Sequence, residues 1–583
     1  MPNDTVNRVM DTESFDSGSF WLLVDQSSAL VVLATFGLAV VALSYLFILV
    51  TMAFRRKSKQ EAYVPQSPTS KLESMKKRVE KALDDAATKP KGGKVSSSAV
   101  KLAASLARDG SSTRKIIVRF DLLIAVGYPM LVLFYCFSTF SFDRAKFAIN
   151  LDVFPPGWFE QGASVIADPV QTAVIYKTLK SLRIASVLDF FTRVGVNATL
   201  CFRFHYVVKQ IQDPRKQQSS VYPKRHRAAA ALFAAFAALL VVFVEESIRT
   251  STLACQPHPE CAVNARRWTF LESDSMVQCP CLILIDRDIG PKTFAEWEQP
   301  KNVTDKVAQL AAMGELQTLQ LTNRYLPVLP DELRRCTEMQ HLHLESKFTS
   351  PVVILPDDMF EDMGALTFIH FAAFIPMTRL PSFRGLTNLK SLTLAVFLFL
   401  EELPAFDTLP NLERLVLASV PPIDSLPDFP TNKKLKSFAA SDRGTWCCNG
   451  FLGVCDLQNP LCGVHPLWGT PAATCLPANR TEKVASASTL AAVEQFADTV
   501  CGAVLQPGVL EGPPSEELMA PCNGTLYRQC KELANGEAMC YNARFMAVAC
   551  TTNAFPIEMR RRQIAQGVGD PCDPEIEAWL GCK

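Results

Sequence analysis

The sequence carries almost no net charge and lacks the short motifs that mark familiar enzyme sites. Its 59 lysines and arginines balance 58 aspartates and glutamates, so bulk electrostatics favours no nucleic-acid partner. It has no GxSxG turn for a nucleophilic serine, no HExxH zinc motif, no glycine-rich phosphate loop and no kinase signature. We therefore expect a protein that is not an enzyme and that needs no cofactor.

Cysteine is nearly absent before residue 250, where only Cys136 and Cys201 occur among 19 cysteines in all. A cysteine-dense second half is typical of an oxidising compartment. Cys336 lies alone inside a repeated region and is expected to remain a free buried thiol. The disulfide candidates are the other sixteen: Cys255, Cys261, Cys279, Cys281, Cys447, Cys448, Cys455, Cys462, Cys475, Cys501, Cys522, Cys530, Cys540, Cys550, Cys572 and Cys582.

Three N-glycosylation sequons fall in the same half of the chain. They are Asn302 in Asn-Val-Thr, Asn479 in Asn-Arg-Thr and Asn523 in Asn-Gly-Thr. Together with the cysteines, they predict that this half faces the lumen or the cell exterior.

A repeated pattern organises the residues between Leu316 and Ala440. The pattern LxxLxL starts at Leu316, Met339, Leu366, Leu389 and Leu412 and fades at Leu435, with steps of 23, 27, 23, 23 and 23 residues. Each unit also carries a Leu-Pro pair, at 329–330, 355–356, 380–381, 403–404 and 426–427. A fixed period with apolar residues in fixed phase predicts a solenoid over 313–440.

This pattern resembles the leucine-rich repeat family. The resemblance implies that each LxxLxL forms one strand of a parallel sheet in an α/β solenoid and that stacked units bury the leucines. The sequence departs from the family where an asparagine usually follows the strand, since Arg324 and Lys347 stand there.

Four apolar stretches predict a four-helix transmembrane region, with spans at 29–54, 116–140, 184–208 and 228–247. Basic residues directly follow the first span, so the positive-inside rule places the amino-terminal tail 1–28 outside the cell. The connections are then expected as a mostly disordered basic cytoplasmic segment 55–115, an extracellular loop 141–183 and a basic cytoplasmic loop 209–227. A plasma-membrane protein whose carboxy-terminal half is extracellular is therefore predicted, with the lipid bilayer as one partner.

The third span contains Asp189 and Arg193, which lie four residues apart on one face of a helix. Such a pair either packs the spans together by mutual neutralisation or marks an ion or proton path.

Cysteine-rich segments bracket the repeats. Residues 248–312 resemble the amino-terminal caps of extracellular leucine-rich repeats, and 441–482 are interpreted as the carboxy-terminal cap. The last segment, 483–583, is expected to be mainly α-helical, because Leu490, Val493, Phe496 and Val500 follow a helical period. Its closing Trp579-Leu-Gly-Cys582 resembles the WLGC domain of oomycete membrane proteins. The resemblance implies a surface location and no established activity.

The variable positions between the repeat leucines predict a ligand-binding face on the concave side of the sheet. We expect the contacts from His341, His343, Phe368, His370, Ser391, Thr393 and Arg414. An exposed Phe368 flanked by histidines is suited to anchor a protein or peptide, and two stacked histidines predict binding that depends on pH near 6. A zinc site formed by these histidines with Glu345 is the weaker interpretation, so no metal is expected.

Two classes of function remain open at this point. The first is a cell-surface receptor or adhesion protein that binds an extracellular protein or peptide and borrows a cytoplasmic signalling partner. The second is an accessory subunit of a membrane channel or transporter with a regulatory ectodomain.

Overall fold

A computed structural model describes residues 187–212 and most of 227–583. Before residue 187 it describes only Phe36, Leu43, Leu131, Ile149, Asp152, Val153 and Ala173. The gaps after residue 227 are 268–277, 288–289, 347–354, 431–433, 442–443, 467, 478, 480–483, 503–512, 534–535 and 544–546.

The described helices are α1 Val187–Gln212, α2 Arg227–Cys255, α3 Phe294–Glu298, α4 Thr304–Ala311, α5 Ala487–Gln495, α6 Ala497–Val500, α7 Glu516–Met519, α8 Ala554–Gln566 and α9 Pro574–Glu577. Several begin at a residue whose side-chain oxygen accepts a hydrogen bond from a backbone N–H of the first turn. These residues are Thr293, Ser486, Ser515, Asn553 and Asp573.

The prediction of a four-helix transmembrane region is contradicted, because no helix among the described residues combines the length and apolar character needed to cross a membrane. In α1 the apolar residues are interrupted by charged ones, among them Arg193 and Arg203. In α2 the uncharged stretch 228–244 ends at Glu245 and Glu246, short of the roughly 20 apolar residues that a span requires. The predicted spans 29–54 and 116–140 lie outside the described residues, apart from single positions.

One sheet of eight strands carries the solenoid in the part of the chain that the structure describes, in the order β1 to β8. The strands are β1 Cys261–Asn264, β2 Cys281–Arg287, β3 Thr318–Thr322, β4 His341–Glu345, β5 Phe368–Ala372, β6 Ser391–Ala395, β7 Arg414–Ala418 and β8 Ser437–Ser441. β1 pairs antiparallel with β2, and each later strand pairs parallel with the one before it. The sheet therefore includes two strands, β1 and β2, from the predicted amino-terminal cap and one, β8, from the fading last unit.

The pattern leucines form the core of the solenoid. Their middle positions are aligned from strand to strand and are fully buried: Leu319, Leu342, Ile369, Leu392, Leu415 and Phe438. Each strand is too short to cover its own leucines, so the burial comes from the neighbouring unit.

A row of phenylalanines runs through the same core on the side away from the strands. Phe360, Phe383, Phe406 and Phe429 recur every 23 residues, and neighbouring ring centroids lie 6.2, 6.2 and 5.4 Å apart. Such spacings suit attractive ring pairs. The row continues the core from one unit to the next.

Two disulfides and a charge cluster close the amino-terminal end of the solenoid. The disulfide Cys255–Cys279 joins the end of α2 to the residues just before β2. The disulfide Cys261–Cys281 joins β1 to β2. Asp286 occupies the position of the last pattern leucine and is buried. Its carboxylate accepts hydrogen bonds from Lys306 Nζ at 2.8 Å and Arg324 Nε at 2.7 Å.

At the other end, α5 and α6 cover the last strand. Val493 and Val500 belong to the solenoid core, and Thr499 Oγ1 donates a hydrogen bond to the carbonyl oxygen of Phe438. Three disulfides hold this end: Cys447–Cys501, Cys448–Cys462 and Cys455–Cys475. The helix predicted from the apolar period of 490–500 is thus present, but it is divided at Phe496 into α5 and α6.

The prediction of a mainly α-helical carboxy-terminal domain is wrong. Within its described residues, β9 Gln529–Leu533, β10 Gly536–Ala543 and β11 Ala547–Thr551 form an antiparallel sheet in the order β11-β10-β9. The helical period of 490–500 forms α5 and α6 at the end of the solenoid and does not continue beyond Val500. Disulfides Cys522–Cys540 and Cys530–Cys550 fasten the sheet.

Candidate ligand-binding face and the carboxy-terminal domain

The strands bring the sequence-predicted binding residues together in two neighbouring columns on one face. One column aligns Thr318, His341, Phe368, Ser391 and Arg414. The other aligns Gln320, His343, His370, Thr393 and Val416. Parallel strands in exact register place equivalent side chains about 4.8 Å apart, so these side chains touch along each column.

Ring stacking hides much of this face from solvent. The rings of His341 and Phe368 are parallel with centroids 4.1 Å apart, and those of His343 and His370 are 4.2 Å apart. Phe368 is only 8% exposed and His343 only 3%. The expectation of an exposed Phe368 anchor is therefore corrected: its ring face is already taken by His341.

On strands β4 to β7, four polar side chains of this face are only partly buried. They form a diagonal from β4 to β7 that we call the polar diagonal: Glu345, His370, Ser391 and Arg414. Its two ends carry opposite charges and lie three strands across and four residues along the sheet from each other, about 20 Å in all. A small apolar floor of Ala372, Ala395, Val416, Ala418 and Ala439 lies beside it.

Burial changes the protonation chemistry of the histidines. It lowers the pKa of His343 to about 3, and burial, assisted by His343 and Arg414, lowers the pKa of His370 to about 3 against an opposing effect of Glu345. Burial is also the main reason why the pKa of His341 falls well below its usual value. The imidazoles are therefore neutral at pH 6, and the predicted titration of binding near that pH does not follow from this face.

Buried polar atoms on the same face have no hydrogen-bond partner among the described residues. They are Thr322 Oγ1, His343 Nε2 and Ser391 Oγ. His343 Nε2 lies 3.6 Å from Glu345 Oε2, beyond hydrogen-bond distance. An unsatisfied buried group of this kind lowers stability by about 1–3 kcal/mol. A ligand that supplied the missing hydrogen-bond partner would recover this free energy.

The histidines and Glu345 do not form a cluster that could hold a metal ion. Among the described residues, the groups of ligand atoms close enough for one ion are Cys255, Cys261 and Cys279, and Cys522, Cys530 and Cys540. All six cysteines are joined in disulfides, so their sulfurs lack the thiolate form that binds metals.

The structure pairs all sixteen predicted cysteines, and the remaining disulfide is Cys572–Cys582. Cys336 is a free buried thiol, and burial raises its pKa to about 11. The three sequon asparagines Asn302, Asn479 and Asn523 are all exposed.

A buried arginine organises the carboxy-terminal domain. Arg560 is 1% exposed and makes two hydrogen bonds to the Glu577 carboxylate, at 2.6 and 3.0 Å. It also donates to the backbone oxygen of Asp570 and lies 4.4 Å from the centroid of the Tyr527 ring. The buried guanidinium of Arg560 is thus paired with a carboxylate, hydrogen-bonded and in contact with an aromatic ring, as a buried ion requires.

Each of the four residues of the closing motif has a structural role in the domain. Trp579 Nε1 donates a hydrogen bond to the carbonyl oxygen of Tyr527 at 3.0 Å, and Leu580 packs with Met539 and Ile557. Gly581 adopts a left-handed φ of 100°, which favours glycine. Cys582 forms the disulfide with Cys572.

The family model for the WLGC domain matches residues 517–583. This match confirms the WLGC domain expected from the closing motif. A search of curated proteins finds no match to the chain. The WLGC domain contains the three-stranded sheet, α8 and the Arg560–Glu577 pair. Its named motif lies in the structural framework rather than around a reactive centre.

Three features escaped the sequence reasoning. The phenylalanine row follows Leu-Pro in most units and could have been read from its 23-residue spacing. Asn388 and Asn411 donate to the carbonyl oxygens of Gly364 and Thr387 in the preceding unit, so asparagines link units just before the strands. The Arg560–Glu577 pair had no local signal, since its members are 17 residues apart.

Proposed function

We propose that this chain is a leucine-rich repeat recognition protein that binds an extended protein or peptide segment on the concave face of its solenoid and performs no chemistry of its own. The cysteine-rich caps and exposed sequons support a role in an oxidising compartment, at or beyond the cell surface. The alternative of a channel or transporter subunit relied on membrane spans and is not retained.

The polar diagonal is the observation that carries this proposal. It offers an acidic group, an imidazole and a guanidinium across four parallel strands, with the buried Ser391 hydroxyl between the last two. A line of about 20 Å spans about six residues of extended chain. The partner that fits presents a cation near Glu345 and an anion near Arg414.

A peptide-display selection tests the proposal. A random-peptide library would be selected against the purified chain, and the recovered peptides would be measured against three variants. Ser391→Arg fills the middle of the diagonal and should weaken binding about tenfold or more. Glu345→Gln and Arg414→Gln should each weaken binding and should shift the selected peptides away from basic or acidic residues, respectively.

Glu361→Arg supplies the matched control, because Glu361 is exposed in a turn beside Gly385 and away from the strands. It should leave binding unchanged. Peptides that bind equally well to Ser391→Arg and to the unmodified chain would show that the concave face is not the recognition surface.

A further inference from the structure

The WLGC domain packs against the segment that connects β2 to α4. Trp297 of α3 is 5% exposed and contacts Met519 of α7 and Ala547 and Ala549 of β11. Ala547 and Ala549 alternate along β11 and therefore point to the same face. Their small side chains leave a shallow site that the indole of Trp297 fills.

At two glycines of this contact, side chains from the other surface lie directly against the glycine backbone. A Cβ on Gly290 would lie 3.3 Å from Val548 Cγ2, and a Cβ on Gly524 would lie 2.5 Å from Lys292 Cγ. One glycine belongs to each partner. The two surfaces are therefore complementary in shape.

The segment that docks is an ordered helical turn. Thr293 Oγ1 accepts a hydrogen bond from Glu296 N, and Glu296 Oε2 accepts one from Lys292 N at 2.8 Å. Phe294 and Trp297, one turn apart, stack with centroids 5.5 Å apart. Residues three apart share a helix face, so both rings are presented to the WLGC domain together.

We propose that the WLGC domain is a peptide-binding module whose ligand is a short capped helix with aromatic residues at positions i and i+3. In this chain the ligand is supplied by the protein's own residues 290–299. The docking holds the last domain of the chain against the amino-terminal end of the solenoid.

The disulfide pattern makes the proposal testable in the full chain. Every cysteine of the WLGC match pairs within it, and Cys501 is the last cysteine bonded to the solenoid. A protease recognition sequence inserted after Gln506 would therefore release a fragment that only non-covalent contacts retain. After cleavage, the two pieces should co-elute from a size-exclusion column under native conditions.

Trp297→Ala should weaken the association of the cleaved pieces about tenfold or more, as expected for removal of a buried aromatic anchor. Trp468→Ala, in the carboxy-terminal cap, should leave the association unchanged. A synthetic peptide of residues 288–300 should displace the fragment from the cleaved, otherwise unmodified chain, and the same peptide with alanine at positions 294 and 297 should not.

The peptide competition keeps the test decisive if Trp297→Ala fails to fold. Pieces that separate at once after cleavage would overturn the proposal. So would an unchanged association in a folded Trp297→Ala protein, or a peptide that displaces nothing at a hundredfold excess over the protein.

Discussion

At the scale of single residues, backbone strain and buried charge are concentrated at a few positions. The residue after the strand adopts a left-handed φ in several units: Asn323, Ala373, Val396 and Ser419. Asparagine suits this conformation, whereas a β-branched residue does not. Val396, with φ of 59°, is the strained member of this set.

Val396→Asn should stabilise the chain by about 1 kcal/mol, because asparagine tolerates the left-handed region at lower free-energy cost. The backbone N–H keeps its hydrogen bond to the carbonyl oxygen of Ala418. Chemical denaturation would measure the change. Val328→Asn, at an exposed valine outside the left-handed set, should give no gain, and an equal gain in both variants would refute the strain argument.

Arg560→Met should destabilise the WLGC domain by about 3–5 kcal/mol, because it leaves the Glu577 carboxylate buried without its partner. Arg560→Lys should rescue little of this loss, since an ammonium group cannot form the paired hydrogen bonds. Thermal unfolding of the chain would measure both. Arg562→Met, at a partly exposed arginine, is the control, and a loss of similar size there would contradict the role of burial.

At the scale of elements, two side-chain rows connect one repeat unit to the next. The phenylalanine row fills the side away from the strands, and the histidine stacks lie on the concave face. Both rows exist because the units repeat in register, which places equivalent side chains in contact. Each row therefore transmits the stability of one unit to its neighbours.

Phe383→Ala should lower the free energy of unfolding by about 3–5 kcal/mol, because it opens a cavity between the rings of Phe360 and Phe406. Phe383→Leu should cost less, since it retains most of the volume. Denaturant unfolding would rank the two variants. Phe399→Ala, at a phenylalanine that is 58% exposed, should change stability little, and a comparable loss there would argue against the row.

The histidine stacks predict acid sensitivity of the solenoid. The folded pKa of His343 and His370, about 3, lies below the unfolded value of about 6.5. Their neutral burial therefore costs no stability above pH 6.5. Stability falls as the pH drops from 6.5 towards 3, because the unfolded chain takes up protons that the folded chain refuses.

Unfolding measurements from pH 7 to pH 4 would test this slope. The double variant His343→Gln with His370→Gln should show a shallower fall, since its remaining acid sensitivity comes from His341 and the carboxylates. Parallel curves for the variant and the unmodified chain would contradict the prediction.

At the scale of the whole molecule, covalent links hold each end of the solenoid and the WLGC domain separately. The disulfides fall into three groups, one at each end of the solenoid and one within the WLGC domain. This arrangement suits a short solenoid, whose exposed ends need closure. It also requires an oxidising environment for assembly.

Expression in a eukaryotic secretory host should place glycans on Asn302, Asn479 and Asn523, because all three side chains are exposed and lie in sequons. Glycosidase treatment would convert each modified asparagine to aspartate, and peptide mapping would detect the change. Asn388, exposed but outside a sequon, should stay unmodified. A secreted, folded chain with none of the three modified would argue against a luminal half.

The sequence by itself determined the solenoid, because a repeat of fixed period leaves one way to bury its leucines: in register with the next unit. It also identified the sixteen cysteines that form disulfides, though not their partners, and it identified the WLGC domain through its closing motif. It could not determine whether apolar stretches such as 228–244 span a membrane, since alanine-rich helices and membrane spans share composition.

Only the tertiary structure decided the rest. Phe368 and His343 were correctly placed on one face by their spacing, yet their burial depends on rings from other strands. The carboxy-terminal sheet, the Arg560–Glu577 pair and the docking of Trp297 all join residues distant in sequence. Such contacts are selected by the packing of whole surfaces, which no local period encodes.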